Sequence, residues 1–394
     1  MYPKIILKSG KADAVKRFHP WIFSGAIKKI KEPVQSGDIV AVFSNQEEFL
    51  ALGHYQHGTS IAVRLFSFEE RSIDTDFWKE KLLSAYQLRR KLGLFDNAST
   101  NSFRLVYAEG DSLPGLIMDY YNGTVVIQCH SYGMHLIRQE LCDALQQILD
   151  DKLKAVYYKS KETLGKSTSE EITNEYLYGE STDNIIAENN CLYQVDWEQG
   201  QKTGFFLDQR DNRKLLSEYS KGKKILNCFS YSGGFSVSAL KNGATLVHSV
   251  DSSSAAIGLC EENLRINGFD SEKHQCFVSD VMDFMQNMAE EYDIIVVDPP
   301  AYAKSISAKH NAIQGYKRLN KMAMDKIKAG GLIFSFSCSQ VVDRRMFNAT
   351  LQSAAIQSGR KIRILHELSQ AACHPLNAFH PEGHYLKGLV LYVE

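Results

Sequence analysis

From residue 223 onward the chain alternates short apolar runs with amphipathic segments, and this rhythm constrains its fold more than any other feature. The runs 224–229, 245–251, 274–279, 293–298, 331–337, 361–368 and 386–393 have strand length, and helical spacing fills the gaps between the first six. Strands joined by helices read as a parallel sheet covered on both faces. The last two runs are separated only by a loop with two prolines, Pro375 and Pro381. The final strand is therefore expected to run antiparallel at or near one edge.

The earlier sequence reads differently. Runs 38–43 and 60–66 are strand-like and separated by Gly, Asn and charged residues, which suggests a small β-barrel. Residues 76–94 have helical spacing. A middle block offers strands at 103–108, 124–129 and 155–159 and a helix at 135–149. Residues 160–179 are polar, lack periodicity and read as a loop or linker. A chain of 394 residues holds two or three domains. The expected division is 1–72, 73–190 and 191–394, an α/β protein with its Rossmann-like sheet at the C-terminus.

The 45 basic residues are balanced by 46 acidic ones, which excludes a wholly basic nucleic-acid coat but not a local basic face. Lys8, Lys11, Lys16, Arg17, Lys28, Lys29 and Lys31 are candidates for such a face, or for an ordinary solvated surface. The eight cysteines include no Cys-x-x-Cys pair, so no metal site is expected. They read as free thiols of a cytoplasmic protein, and neither a signal peptide nor a membrane span is expected.

Doubly wound sheets bind ligands beyond the carboxyl ends of their strands. The first such end carries Phe229, Ser230, Tyr231, Gly233 and Gly234. Two glycines let the backbone approach a ligand, but the spacing is neither G-x-G-x-x-G nor a P-loop. Asp251 and Ser252 follow the second strand, where an acid accepts ribose hydroxyls or caps a helix. Asp280 follows the third, placed to accept from an exocyclic amine. Together they describe a nucleoside pocket. The fourth strand ends Asp298-Pro299-Pro300-Ala301-Tyr302-Ala303-Lys304, a carboxylate before a rigid turn with an aromatic suited to a planar base. Cys338 ends the fifth strand, as an inert core thiol or a reactive one.

The Asp298–Tyr302 motif resembles motif IV of class I methyltransferases. With Ser337-Cys338-Ser339 and the run from Gly200 to Arg210, the chain resembles RlmI-type large-subunit ribosomal RNA cytosine methyltransferases over nearly its whole length. The stretch His19 to Ile27 is similar to that family's PUA-type RNA-binding domain, and the middle block to its linking α/β domain. The resemblance implies S-adenosyl-L-methionine as cofactor and 23S ribosomal RNA as partner, with 5-methylcytosine as product. It implies that residues 229–234 wrap the methionine portion, Asp251 holds the ribose and Asp280 the adenine amine. Asp298 and Pro299 then lie between cofactor and base, and Gln201, Lys202, Thr203, Phe206, Asp208 and Arg210 close the pocket from outside. Pro300, Tyr302 and Lys304 are the expected substrate contacts. One departure stands out: Cys373-His374-Pro375 replaces the family's Asp-His-Pro.

Chemically, a Cys338 thiolate attacking carbon 6 of cytosine makes carbon 5 nucleophilic. A lowered thiol pKa would help. Asp298, transiently protonated, would hydrogen-bond N3, and the residues name no base for the carbon 5 proton. Rival readings are a guanine-nitrogen methyltransferase with a structural Cys338, a non-catalytic RNA-binding protein, and a nicotinamide dehydrogenase, which the missing G-x-G-x-x-G disfavours. A homodimer is compatible with the residues and required by none.

Overall fold

The computed structural model describes residues 2–164, 171–180, 183–269, 272–303 and 305–394. At the N-terminus, strands β1 (Lys4–Leu7), β2 (Trp21–Phe23), β3 (Ile27–Ile30), β4 (Ile39–Phe43), β5 (Phe49–Tyr55) and β6 (Ile61–Ser67) form one sheet in the order β2-β6-β5-β4-β1-β3. The β1–β4 pair is parallel and the others antiparallel. Side chains alternate across the sheet. Val40 and Val42 enter a core of their own with Ile5, Leu7, Val63 and Leu65. Ala41, Leu52 and Phe66 instead join the core of the next domain.

That next domain begins with a helix, Thr75–Lys91, capped by Asp74, whose Oδ1 accepts from the Phe77 amide at 3.0 Å. Strands β7 (Ser102–Tyr107), β8 (Leu116–Tyr121), β9 (Thr124–Cys129), β10 (Ala155–Tyr158) and β11 (Glu175–Tyr178) form a sheet in the order β11-β10-β9-β8-β7. The segment 160–179, expected as a loop, thus contains a strand. Its few apolar residues, Tyr176 and Leu177 among them, suffice because β11 is an edge paired only with β10. The hairpin β12 (Ile185–Glu188) and β13 (Cys191–Gln194) straddles positions 190 and 191. Ile186, Cys191 and Tyr193 pack with Ile225 and Val237 of the C-terminal domain and with Tyr121, Val126 and Tyr157 of the central one. Two domains therefore share one core.

The C-terminal sheet has seven strands: β14 (Lys224–Cys228), β15 (Leu246–Asp251), β16 (His274–Val278), β17 (Ile294–Val297), β18 (Gly331–Ser337), β19 (Ile362–Leu368) and β20 (Lys387–Val393). Their order is β16-β15-β14-β17-β18-β20-β19. Only β20 runs antiparallel, inserted between β18 and the edge strand β19, in agreement with the sequence pattern. β17 is buried along its whole length, as its unbroken apolar run requires of a central parallel strand. The order reverses direction between β14 and β17, so a crevice opens beyond their carboxyl ends. No helix among the described residues is long and apolar enough to cross a membrane.

Candidate active site

The turn after β14 is conformationally costly. Phe229 (φ 57°) and Tyr231 (φ 44°) lie in the left-handed region with Gly233 (φ 75°). A hydrogen-bond network holds the turn: Asn227 donates to Ser236 Oγ at 2.8 Å, which contacts Ser249 Oγ at 2.7 Å, and Asn263 donates to the Ser232 carbonyl at 2.8 Å. Packing itself requires the glycines. A Cβ on Gly233 would meet Cys260 Sγ at 2.4 Å, and one on Gly234 would meet Arg213 Cδ at 3.1 Å. Within the turn Ser230 is buried, and its Oγ has no partner among the described residues.

The two carboxylates beyond the turn are fixed by the main chain. Asp251 accepts from the Tyr231 amide at 3.0 Å through one oxygen and from the Ser253 amide at 2.9 Å through the other. Ser252 is exposed beside it. Asp280 caps the helix Val281–Asn287, accepting from Met282 and Asp283 with Oδ1 alone, and is itself exposed. Each keeps lone pairs for a further donor.

Residues 200–213 form a strap over this end of the sheet. Lys159 Nζ holds the Gly200 carbonyl at 2.6 Å. Thr203 is buried and turned into the central domain, donating to Asp119 at 2.6 Å and contacting Tyr121 Oη at 3.1 Å. Gln201 and Lys202 are exposed, and the half-open Phe206 ring stands edge-on to Tyr231 at 5.2 Å. Asp208 accepts from Tyr385 Oη at 2.5 Å through Oδ2, whereas its Oδ1 is buried without a partner among the described residues. Arg210 binds Asp211 through Nε at 3.2 Å, and its Nη1 is likewise unpartnered. Arg213 pairs with Glu188 through two hydrogen bonds of 2.7 and 2.8 Å, both side chains being buried.

The strap meets the fourth strand end at Gln209, whose Nε2 donates to Asp298 Oδ2 at 2.9 Å. Asn212 fixes the Gln209 amide by donating to its Oε1 at 2.6 Å. Asp298 retains some open surface but lies deep in the crevice. Desolvation, reinforced by the Asp208 charge, raises its pKa to about 7, against the lowering effects of Gln209 and Arg213. Cys338 Sγ lies 4.0 Å from the Pro299 carbonyl. Burial, then the Asp298 and Asp208 charges, push its thiol up to about 12, opposite to the lowering a ready nucleophile would favour. Beside it Lys387, 4% exposed, donates to the Ser339 carbonyl at 2.7 Å, and burial brings its pKa down to about 8.

The structure thus brings Asp298, Pro299, Cys338, Asp208 and the Gln209–Arg210 corner together, with the Phe229–Gly234 turn and Asp251 alongside. Tyr302 packs against Tyr316 at 4.7 Å, and Pro300 is exposed. Lys304 lies outside the described residues. Sequence reasoning did not single out the hold of Gln209 on Asp298, Lys387 beside Cys338, or Tyr385 on Asp208. Gln209 stood in the Gly200–Arg210 run and Lys387 in the last strand-like run, but nothing in the spacing of either, or of Tyr385, announces a partner. Of the N-terminal basic residues, Lys16 and Lys31 are paired with Glu48 and Glu47, and Lys8 donates to the Gly25 carbonyl.

The unpartnered Ser230, Asp208 and Arg210 atoms fit a polar ligand, and the free lone pairs of Asp251 and Asp280 fit a nucleoside. S-adenosylmethionine is such a ligand, with hydroxyls, an amine and an amino-acid end. Residues 104–355 match the family of S-adenosylmethionine-dependent methyltransferases, and residues 5–68 match the PUA-like domain. The Ribosomal RNA large subunit methyltransferase I of Alteromonas mediterranea is 36% identical across 100% of this chain and 99% of its own. The protein of that name from Escherichia coli is 35% identical across 100% of both. A solved Streptococcus mutans structure assigned as a SAM-dependent methyltransferase shares the fold with a TM-score of 0.85 at 23% identity, covering 99% of each chain. The M. jannaschii tRNA m1G37 methyltransferase aligns with a TM-score of 0.52 at 16% identity over 88% of each chain.

Proposed function

Because this chain belongs to the Ribosomal RNA large subunit methyltransferase I family, we propose that it methylates carbon 5 of a cytosine in 23S ribosomal RNA, with Cys338 as transient nucleophile. The observation that carries this reading is the pairing of two groups at adjacent strand ends. One is a carboxyl whose pKa stands near neutrality, Asp298. The other is a half-buried thiol, Cys338, against the turn that follows it.

S-adenosylmethionine, when bound, supplies an electrophilic methyl group. Phe229, Ser230, Tyr231, Gly233 and Gly234 would hold its amino-acid end, Asp251 and Ser252 its ribose and Asp280 its adenine. The strap residues Gln201, Lys202, Thr203, Phe206, Asp208 and Arg210 would cover it, Thr203 by anchoring the strap rather than by contact. A target base reaches this crevice only after leaving its stack. Pro300 and Tyr302 would border it.

The raised thiol pKa supports a role for Asp298. Its carboxylate takes the Cys338 proton as the sulfur–carbon 6 bond forms, and the new carboxylic acid donates to N3. Protonation removes the negative charge that most opposes the thiolate after burial itself. Gln209 holds the carboxyl in place through its other contact with Asn212. Once carbon 5 carries the methyl, its proton must go to a base before the carbon 6–sulfur bond breaks. Lys387 in its neutral form, beside Cys338 and with its pKa brought down to about 8 by burial, is the base assigned to this proton.

The raised thiol also favours a second reading, transfer to a guanine nitrogen with Cys338 structural. Methyl transfer from labelled S-adenosylmethionine to unmodified 23S ribosomal RNA separates the two, with the product nucleoside identified. We expect 5-methylcytidine from the wild type and a loss on the order of 10³-fold or more in Cys338→Ala. Labelled methylguanosine undiminished in the variant would sink the cytosine reading.

A further inference from the structure

A cleft of about 320 Å³ opens where all three domains meet, within the size range of ligand sites, ~300–1,000 Å³. Trp21 and Arg64 line it from the N-terminal sheet, Tyr107 and Glu109 from the central domain, and Gln340 and His380 from the C-terminal one. Two of its lining residues connect it by chain or contact to the reaction centre. Gln340 is two residues beyond Cys338, and Tyr107 faces Tyr385, the partner of Asp208, at 6.4 Å between ring centroids.

The charges of the cleft are unevenly satisfied. Glu109 accepts from Trp21 Nε1 at 2.8 Å. Glu382 lies between His19 Nε2 at 3.4 Å and His380 Nε2 at 3.6 Å. Arg64 sits opposite Trp21 across the β2–β6 ladder, its stem packed toward Gly115. Among the described residues its guanidinium has no hydrogen-bond acceptor and no ion pair. Burial acts on it strongly enough to lower its pKa, even with the Glu109 charge opposing. A half-buried cation with a carboxylate in range but no bonded acceptor can take a further anion.

The rim supplies the other component. Phe18, Phe23 and Phe379 are 48%, 47% and 53% exposed, a cost that a solvent-facing surface has no reason to carry. Phe379 packs on Phe18 at 5.3 Å, and Phe23 stands edge-on to Trp21 at 6.3 Å. An unpaired cation flanked by open aromatic rings matches the repeating chemistry of single-stranded RNA, a phosphate and a flat base per nucleotide.

We propose that this cleft seats the unpaired RNA flanking the target nucleotide, with a backbone phosphate on Arg64 and adjoining bases on Phe23 and Phe379. The inference rests on the RNA-methyltransferase reading above and adds to it which residues choose the substrate. The lysines of the N-terminal surface are then secondary to a site built between domains.

Two measurements test it. The first is the KM and kcat for unmodified 23S ribosomal RNA. The second is direct binding, by fluorescence anisotropy, of a labelled oligouridine of about twelve nucleotides. Arg64→Gln should raise KM about tenfold with kcat within about twofold, and reduce the salt slope of RNA binding by about one. Arg64→Lys should restore most of the affinity. Phe23→Leu and Phe379→Leu should each weaken oligouridine binding about fivefold or more. Thermal shift with S-adenosylmethionine reports folding of every variant, and the two Phe variants carry the test if Arg64→Gln does not fold. Unchanged RNA affinity in Arg64→Gln or in both Phe variants overturns the cleft while leaving the methyltransferase reading intact. Conversely, Arg64-dependent oligouridine binding by a wild type that methylates no ribosomal RNA overturns the functional reading and keeps the cleft.

Discussion

The crevice has two halves that use carboxylates in opposite ways. On the side proposed for the cofactor, Asp251 and Asp280 are held by backbone amides two or three residues on and, for Asp251, also by the Tyr231 amide of the turn after β14. Such groups are fixed acceptors, and their geometry survives almost any side-chain change nearby. On the base side, Asp298 is held by a side chain, Gln209, that is itself held by Asn212, in a setting dry enough to bring its pKa to about 7. On the proposed mechanism that group exchanges protons. Main-chain support gives a binding site its permanence, whereas side-chain support in a low-dielectric pocket gives a reaction site its responsiveness, at a cost in stability.

The sharpest way to break this contrast is Asp298→Asn. We expect methyl transfer to fall by about 10²-fold or more. The wild-type kcat/KM should rise about tenfold per pH unit up to about pH 7 and then level, because the active form needs one proton shared between Asp298 and Cys338. In the variant the break near 7 should vanish. The same substitution should stabilise the fold. The carboxyl is raised in the folded state from 3.8 to about 7, so its ionised form is disfavoured. The penalty grows as pH rises between those values and is complete above them. Chemical denaturation should therefore show Asp298→Asn more stable by about 2 kcal/mol above pH 7, a figure halved to allow for water in the crevice, and unchanged near pH 4. A variant that kept the pH break would assign it to another group.

Asp251→Ala tests the other half. It should weaken S-adenosylmethionine binding by about 10- to 100-fold, read by calorimetry, and leave kcat at saturating cofactor within about threefold. A large fall in kcat would show that the halves are not separable. The smallest effect is expected where they join. Cys373, buried at the position the resemblance assigns to Asp, lies close enough to Arg210 for the two to influence each other, while Arg210 Nη1 has no acceptor among the described residues. Cys373→Asp should supply one and raise Tm by about 2 °C.

The same contrast explains what a reader of residues alone obtains. The cofactor half follows from strand ends, and Asp251 lies only 20 positions from the amide it holds. The base half closes over long separations, 89 positions between Gln209 and Asp298 and 177 between Asp208 and Tyr385. No local pattern encodes such pairs. Among the folds, the C-terminal strands were legible because long apolar runs alternate with helices. β5 was not, since Gly53 interrupts it; a Cβ there would meet the Arg64 carbonyl at 2.5 Å, so the residue that reads as a breaker is required by close approach. The β12–β13 hairpin did leave a signal, Asn189-Asn190 with both φ positive, the pair that a tight hairpin turn favours.

The anchoring of the strap has a consequence for anyone who would reuse this protein in parts. The segment that covers the crevice is stitched to the central domain by Thr203 on Asp119 and by Lys159 on the Gly200 carbonyl, and the two domains share a core. The catalytic half is accordingly not a cassette. A chimera that joins it directly to a different RNA reader would leave its lid untied and apolar surface bare. Because Ala41, Leu52 and Phe66 of the N-terminal sheet enter the core of the middle piece in turn, that piece is the keystone through which both neighbours are packed.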